Sequence, residues 1–92
     1  MEVTAVVKRV EATQEVGANG FKKRDLIVST DEQYPQTLSI QFVQDKVSLI
    51  DGLLANQKVK ISINLRGKEF IDKEGKLAVF NTIQGWKIEK LA

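Results

Sequence analysis

Basic residues on one side of an extended stretch give this sequence its clearest chemical signal. Lys58–Phe70 reads KVKISINLRGKEF. Successive side chains of a strand point to opposite faces, so Lys60, Arg66 and Lys68 would share one face and the apolar residues the other. Cations spaced in this way contact the phosphates of a nucleic acid without reading its sequence. The stretch therefore predicts a strand that holds a polyanion.

Aromatic residues close to basic ones supply the second requirement for binding a single strand, because bases stack on rings set in a basic groove. Phe70 flanks the turn Asp72–Lys76, and Phe21 adjoins a run of three basic residues. Trp86, late in the last strand pattern, is a third stacking candidate. The predicted nucleic-acid-binding residues are Phe21, Lys22, Lys23, Arg24, Lys60, Arg66, Lys68, Phe70, Lys73, Lys76 and Trp86.

The same residues also have a structural explanation. Charged outward faces keep strands soluble, and charge alone leaves the two interpretations evenly balanced. Phe80 and Trp86 share a parity that points away from the core, and packing against another element or subunit explains them slightly better than nucleic acid does. Phe70 could pair across the hairpin with Phe80 or Ala78.

Catalytic chemistry has little support in the residue types. The sequence contains no Cys and no His, which excludes thiolate and imidazole metal ligands, a Cys nucleophile and His-based triads. The acidic pairs Asp31-Glu32 and Asp72/Glu74 lie in predicted turns, where exposed acids are ordinary. We therefore expect no enzyme activity, no cofactor, no metal and no small-molecule substrate.

Length and composition indicate a single domain covering residues 1–92. With 42% hydrophobic residues, the chain can form one core. The formal net charge is only +2, so the distribution of charge is more informative than its sum. Charges interrupt the first apolar run, and no run reaches the length of a membrane span. We expect a soluble, cytoplasmic protein with no membrane partner.

Strand and helix patterns alternate along the chain in a recognisable order. The predicted strands cover Glu2–Val16, Phe21–Thr30, Gln36–Val43, Lys58–Phe70 and Leu77–Leu91. The first changes its apolar parity midway, as a strand does when it bends to join two sheets. Asp45 looks like a helix N-cap, followed by Val47, Ile50 and Leu54 on one helical face.

This order predicts an all-β protein, a five-stranded OB-fold barrel with Greek-key topology and one short α-helix between strands 3 and 4. The only substantial helix should lie between Asp45 and Asn56. In an OB-fold that helix closes one end of the barrel, which explains why it needs a single apolar face.

Two segments resemble known families. GANGFKKRDLIVSTDE, residues 17–32, resembles the first hairpin of bacterial single-stranded DNA-binding proteins, and residues 36–91 resemble the rest of that domain in layout, including a long charged hairpin with a D-x-x-G tip. The segment Thr30–Gln36, T-D-E-Q-Y-P-Q, resembles a motif of a family of small bacterial proteins of unknown function. The resemblance implies the same fold and a single-strand ligand.

The patterns and the resemblance together predict binding of single-stranded nucleic acid, with DNA expected, without sequence specificity. A homo-oligomer, dimer or tetramer, is expected through the first or last strand, because outward apolar groups do not all fit one inner face. The alternative is an OB-fold interaction or scaffold module that binds no nucleic acid. Oligosaccharide binding is a third possibility, but the sequence lacks the cluster of Trp and Tyr that such sites use.

Overall fold

The computed structural model describes residues 1–91, and in them it has six strands and one short 3-10 helix. The strands are β1 (Glu2–Val10), β2 (Gln14–Val16), β3 (Phe21–Thr30), β4 (Thr37–Val43), β5 (Lys58–Ile71) and β6 (Leu77–Lys90). The 3-10 helix, Gln44–Ile50, lies between β4 and β5.

The strands form a sheet that closes on itself. Their order is β1-β5-β6-β4-β3-β2, and β1 also pairs with β3. β4 and β6 run parallel, with Ile40 beside Ile83, while the other neighbours are antiparallel. Ring closure with this connectivity is the Greek-key barrel of the OB-fold, so the predicted fold class is confirmed.

The first predicted strand is two strands in the structure. β1 ends at Val10 and β2 begins at Gln14, and both pair with β3. The register of β1 against β3 shifts between Val7 and Arg9, and the first half of β1 also pairs with β5. The uneven apolar parity therefore reflects a strand that bends between two neighbours, as expected, but the prediction of one unbroken strand was wrong.

The helix lies where the sequence predicts it, but its type and cap differ. It is a 3-10 helix, Val43 occupies the N-cap position, and Asp45 falls within the first turn. Ile50 is fully buried, whereas Leu54 is exposed because the helix ends before reaching it. The predicted N-cap and the predicted apolar contact of Leu54 were wrong. Within residues 1–91, no helix has the length and apolar character needed to cross a membrane.

The barrel core is built from inward residues of five strands and the 3-10 helix, and Phe42 is its largest fully buried side chain. Gly85 of β6 lies directly against the Phe42 ring, so a Cβ at this position would overlap the ring. Gly85 pairs with Ile63, but Lys87 pairs with Ser62, which leaves Trp86 as an extra residue in a bulge of β6. This bulge lets both Gly85 and Ile88 face the core.

β5 and β6 extend far beyond the barrel wall. Each has 14 residues, and they stay paired until Ile71 meets Leu77. From Asn64 to Ile71, every β5 residue is exposed. Leu65 and Val79 keep the core-side parity that the sequence predicts, yet they are exposed because the hairpin has no core beneath it at this level. The molecule is correspondingly elongated, with extents of 48 × 33 × 20 Å.

We expect Gly85→Ala to destabilise the fold by roughly 1–3 kcal/mol, because the added methyl group must displace the Phe42 ring in a filled core. Gly67→Ala is the matched control. It lies in the partner strand β5, and a Cβ there would approach only the Asn81 Oδ1 atom, at 3.3 Å, at the end of a flexible side chain. Chemical denaturation measures both, and equal midpoints for the two variants would contradict this packing.

Candidate nucleic-acid interface

One face of the projecting hairpin interleaves basic and aromatic side chains. We call it the outer hairpin face, because its parity is opposite to that of the buried Ile61 and Ile63. Directly opposed pairs across β5 and β6 compose it: Asn64 with Gln84, Arg66 with Thr82, Lys68 with Phe80, and Phe70 with Ala78. Opposed residues in a ladder have Cβ atoms about 4.5–5.5 Å apart, so cations and rings are immediate neighbours here.

Phe80 is the most exposed phenylalanine on this face. It is 64% exposed, against 43% for Phe70 and 44% for Trp86. Phe70 lies diagonal to Phe80 and opposite Ala78, which is one of the two cross-hairpin neighbours expected for it. Phe80 is not among the predicted binding residues, because packing against another element or subunit explains its outward position in the sequence pattern slightly better than nucleic acid does. The hairpin register that follows from the Asp72–Lys76 turn places it opposite Lys68, and that signal identifies it.

The outer hairpin face continues across β4 and β3. Gln84 lies beside Gln41, and Gln41 lies opposite Asp25 of β3. A cleft of about 310 Å³ runs along this junction, lined by residues of β3, β4 and β6 that include Lys23, Asp25 and Phe80. A second cleft, of about 360 Å³, lies against Arg66, Lys68, Phe80 and Thr82. Phe80 and Thr82 line both clefts.

The three consecutive basic residues of β3, Lys22 to Arg24, occupy different environments. Lys23 lines the cleft shared with β4 and β6. Arg24 points the other way, and its side chain is only 18% exposed. Its Nε donates to the Glu11 carbonyl at 2.9 Å, and its Nη1 donates to the Val47 carbonyl at 3.1 Å and to the Asp51 carboxylate. Arg24 therefore joins the β1–β2 junction to the 3-10 helix, and its Nε and Nη1 donors are bonded within the protein.

The remaining predicted residues lie around the margins of the face. Phe21 is next to the turn of the β2–β3 hairpin, opposite Val16, and Lys22 follows it. The Lys60 ammonium is 3.3 Å from the Glu2 carboxylate on the β1 side of β5. Lys73 and Lys76 are in the exposed turn at the tip.

The tip turn is held by one carboxylate. The Asp72 Oδ1 atom accepts from the backbone N–H groups of Glu74 at 2.9 Å and Lys76 at 3.0 Å, and Gly75 adopts a φ of 79°. This fixes the pairing of Ile71 with Leu77, and with it the register of the whole outer hairpin face.

Metal chemistry finds no support in the geometry. Among the residues that the structure describes, no group of three or more acidic side chains is arranged to hold a metal ion. The arrangement that the outer hairpin face does offer is a basic surface with accessible rings, which suits a phosphate backbone that carries planar bases.

A family comparison places the chain. The protein-family model described as "Domain of unknown function (DUF3127)" matches residues 2–89. The chain belongs to this family. That agrees with the predicted membership of a family of unknown function. No curated protein matches the chain.

Two of the solved structures that match the chain are similar to it in fold. The protein priB from Ralstonia solanacearum superposes with a TM-score of 0.68 at 10% identity, over 99% of this chain and 96% of that one. A single-stranded DNA binding protein from Thermus aquaticus superposes with a TM-score of 0.72 at 17% identity, over 99% of this chain. This DUF3127 chain spans 48% of the Thermus protein. At such identities the likeness shows a shared OB-fold.

Proposed function

We propose that this DUF3127 protein binds single-stranded nucleic acid, DNA in the first instance, without recognising a defined sequence and without catalysing a reaction. The observation that carries the proposal is the direct pairing of Lys68 with Phe80, flanked by Arg66 and Phe70, on one exposed hairpin face. The fold shared with a single-stranded DNA binding protein supports the proposal at the level of architecture.

Binding begins with electrostatic capture. Arg66 and Lys68 contact phosphates along β5, Lys73 and Lys76 reach over the strand from the tip, and Lys23 adds positive charge at the β3 end without a direct phosphate contact. These contacts release counterions and contribute affinity that does not depend on sequence. Lys60 is a weaker contributor, because Glu2 already partly neutralises its ammonium.

Base stacking then holds the captured strand. Phe80 and Phe70 provide adjacent rings near the tip, and Trp86 provides a third about 20 Å away along β6. Each stacked base contributes roughly 1–3 kcal/mol. Phe21 extends the surface at the β3 end, whereas Lys22 alternates with Lys23 and points to the other side of β3. Arg24 is left out, because its guanidinium is bonded within the protein.

The opposite side of the hairpin suits self-association. We call it the inner hairpin face; its exposed apolar residues are Leu65, Ile71, Leu77 and Val79, between 63% and 71% exposed. In the projecting part of the hairpin, residues 64–71 and 77–84, Glu69 is the only charged residue with this parity. A nearly neutral apolar face has no charges or hydrogen-bonding groups to replace the water around a polyanion, but it packs well against a copy of itself about a two-fold axis. This makes a dimer through the last two strands our preferred homo-oligomer.

The same inner hairpin face favours one competing function. An OB-fold module that scaffolds an assembly would bury these apolar residues against a different protein and would need no basic face. Under that alternative, oligo-dT and oligo-rU would show no measurable affinity even at low salt.

Salt dependence separates capture from stacking. The log–log slope of affinity against salt is negative, and we expect Arg66→Ala to make it shallower by about 0.7, because one phosphate contact is lost. Phe80→Ala should weaken binding with an unchanged slope, because stacking releases no ions. Fluorescence anisotropy with labelled oligo-dT over a salt series gives both quantities.

The control for this series is Lys46→Ala, which removes an exposed lysine from the 3-10 helix, away from the outer hairpin face. Its slope should equal that of the wild type. A slope that changes equally for Arg66→Ala and Lys46→Ala would mean that the protein's overall charge, not this face, attracts the oligomer.

Adjacent residues of β6 test self-association. Val79→Glu should dissociate the oligomer, because it places a charge on the inner hairpin face, and each protomer should keep its affinity for oligo-dT. Phe80 points to the opposite face, so Phe80→Glu should leave the oligomer intact and weaken the binding of oligo-dT. Light scattering and anisotropy report the two properties. A wild type that is monomeric at high concentration would exclude this interface.

A further inference from the structure

The electrostatic character of the proposed interface changes from one side to the other. On β5 it carries the cations Arg66 and Lys68. Its middle, on β6 and β4, carries uncharged hydrogen-bonding side chains. On β3 it ends at the carboxylate of Asp25, with Lys23 two residues away on the same face. A nucleic acid has a matching asymmetry, because its phosphates are anionic and its base edges are neutral donors and acceptors.

A row of polar side chains crosses the face at one level. It runs from Asn64 on β5 to Gln84 on β6, then to Gln41 on β4 and Asp25 on β3, and each step is a direct partnership in the sheet register. Amide side chains donate and accept at base edges, whereas a carboxylate only accepts. The row therefore ends at a group that requires a donor from its ligand.

Asp25 is available for such a donor. Other acids near the barrel wall are paired: Asp31 with Lys58 at 2.9 Å, Glu2 with Lys60 at 3.3 Å, and Asp51 with Arg24. Within residues 1–91, no ion pair or side-chain hydrogen bond engages the Asp25 carboxylate. Asp25 is half-buried and lines the cleft that also contains Phe80 and Gln41.

We infer that a bound strand lies with its phosphates along β5 and its base edges toward β3, and that Asp25 makes the protein prefer bases with an exocyclic amino group. This inference rests on the proposed function. The carboxylate of Asp25 repels phosphate, so the backbone keeps to the side of Arg66 and Lys68. Phe80 and Asp25 line the same cleft, so a base that stacks on Phe80 in this cleft turns its edge toward β3 and Asp25.

Cytosine and thymine give the clean comparison. They are pyrimidines of similar size, but cytosine presents an N4 amino donor where thymine presents the O4 acceptor. A carboxylate accepts from the cytosine amino group and repels the thymine oxygen. We therefore expect oligo-dC to bind about tenfold more tightly than oligo-dT of the same length, which is the scale of one good base contact.

The test compares wild type, Asp25→Asn and Asp45→Asn by anisotropy with labelled oligo-dC and oligo-dT. The pH should be mildly alkaline, so that cytosine N3 stays unprotonated. Both variants remove one negative charge, and Asp45 is an exposed acid of the 3-10 helix. Asp25→Asn should erase the preference for dC, because an amide serves either base. Asp45→Asn should retain the full preference.

The outcomes separate this inference from the proposed function. Tight binding to both oligomers with equal affinity in the wild type would overturn the role of Asp25 and leave single-strand binding intact. A dC preference that survives in Asp25→Asn would also overturn it. Failure of both oligomers to bind at low salt would overturn the proposed function and this inference together.

Discussion

The contact between Gly85 and the Phe42 ring sets the geometry on which the rest of the structure depends. The ring fills the centre of the barrel, so β6 can pass over it only where it has no side chain. The bulge at Trp86 follows at once and restores an inward position for Ile88. Before the bulge, alternation keeps Phe80, Thr82 and Gln84 pointing outward, and after it the outward positions are Lys87 and Glu89.

The length of the β5–β6 hairpin determines what the molecule can present. Inside the barrel, each strand has one buried and one solvated face. Beyond Ile63 the core ends, and both faces are exposed. One hairpin thus offers a basic, aromatic surface and an apolar surface back to back. The outer hairpin face can bind a ligand while the inner hairpin face binds a second copy of the protein, because the two do not compete for the same side chains.

The sequence predicts the order of the elements along the chain and the parity of the long hairpin, because alternation persists through Lys58–Phe70 and from Leu77 to Gly85; it does not reveal the shift of parity at Trp86. It does not reveal that Leu65 and Val79 are exposed, because that depends on where the barrel wall ends. Nor does it distinguish Arg24 from Lys23, since the partners Val47 and Asp51 reach Arg24 only after the chain folds. The sequence also does not reveal that the helix is a 3-10 helix that ends at Ile50, before Leu54.

Side-chain NMR during titration with oligo-dT at low salt tests the central claim most directly, because it distinguishes the two hairpin faces. The account predicts shifts of the Phe70 and Phe80 ring signals and of the Trp86 indole, with the methyl signals of Leu65, Leu77 and Val79 unmoved. Shifts confined to those methyl groups, or no shifts at all, would contradict it.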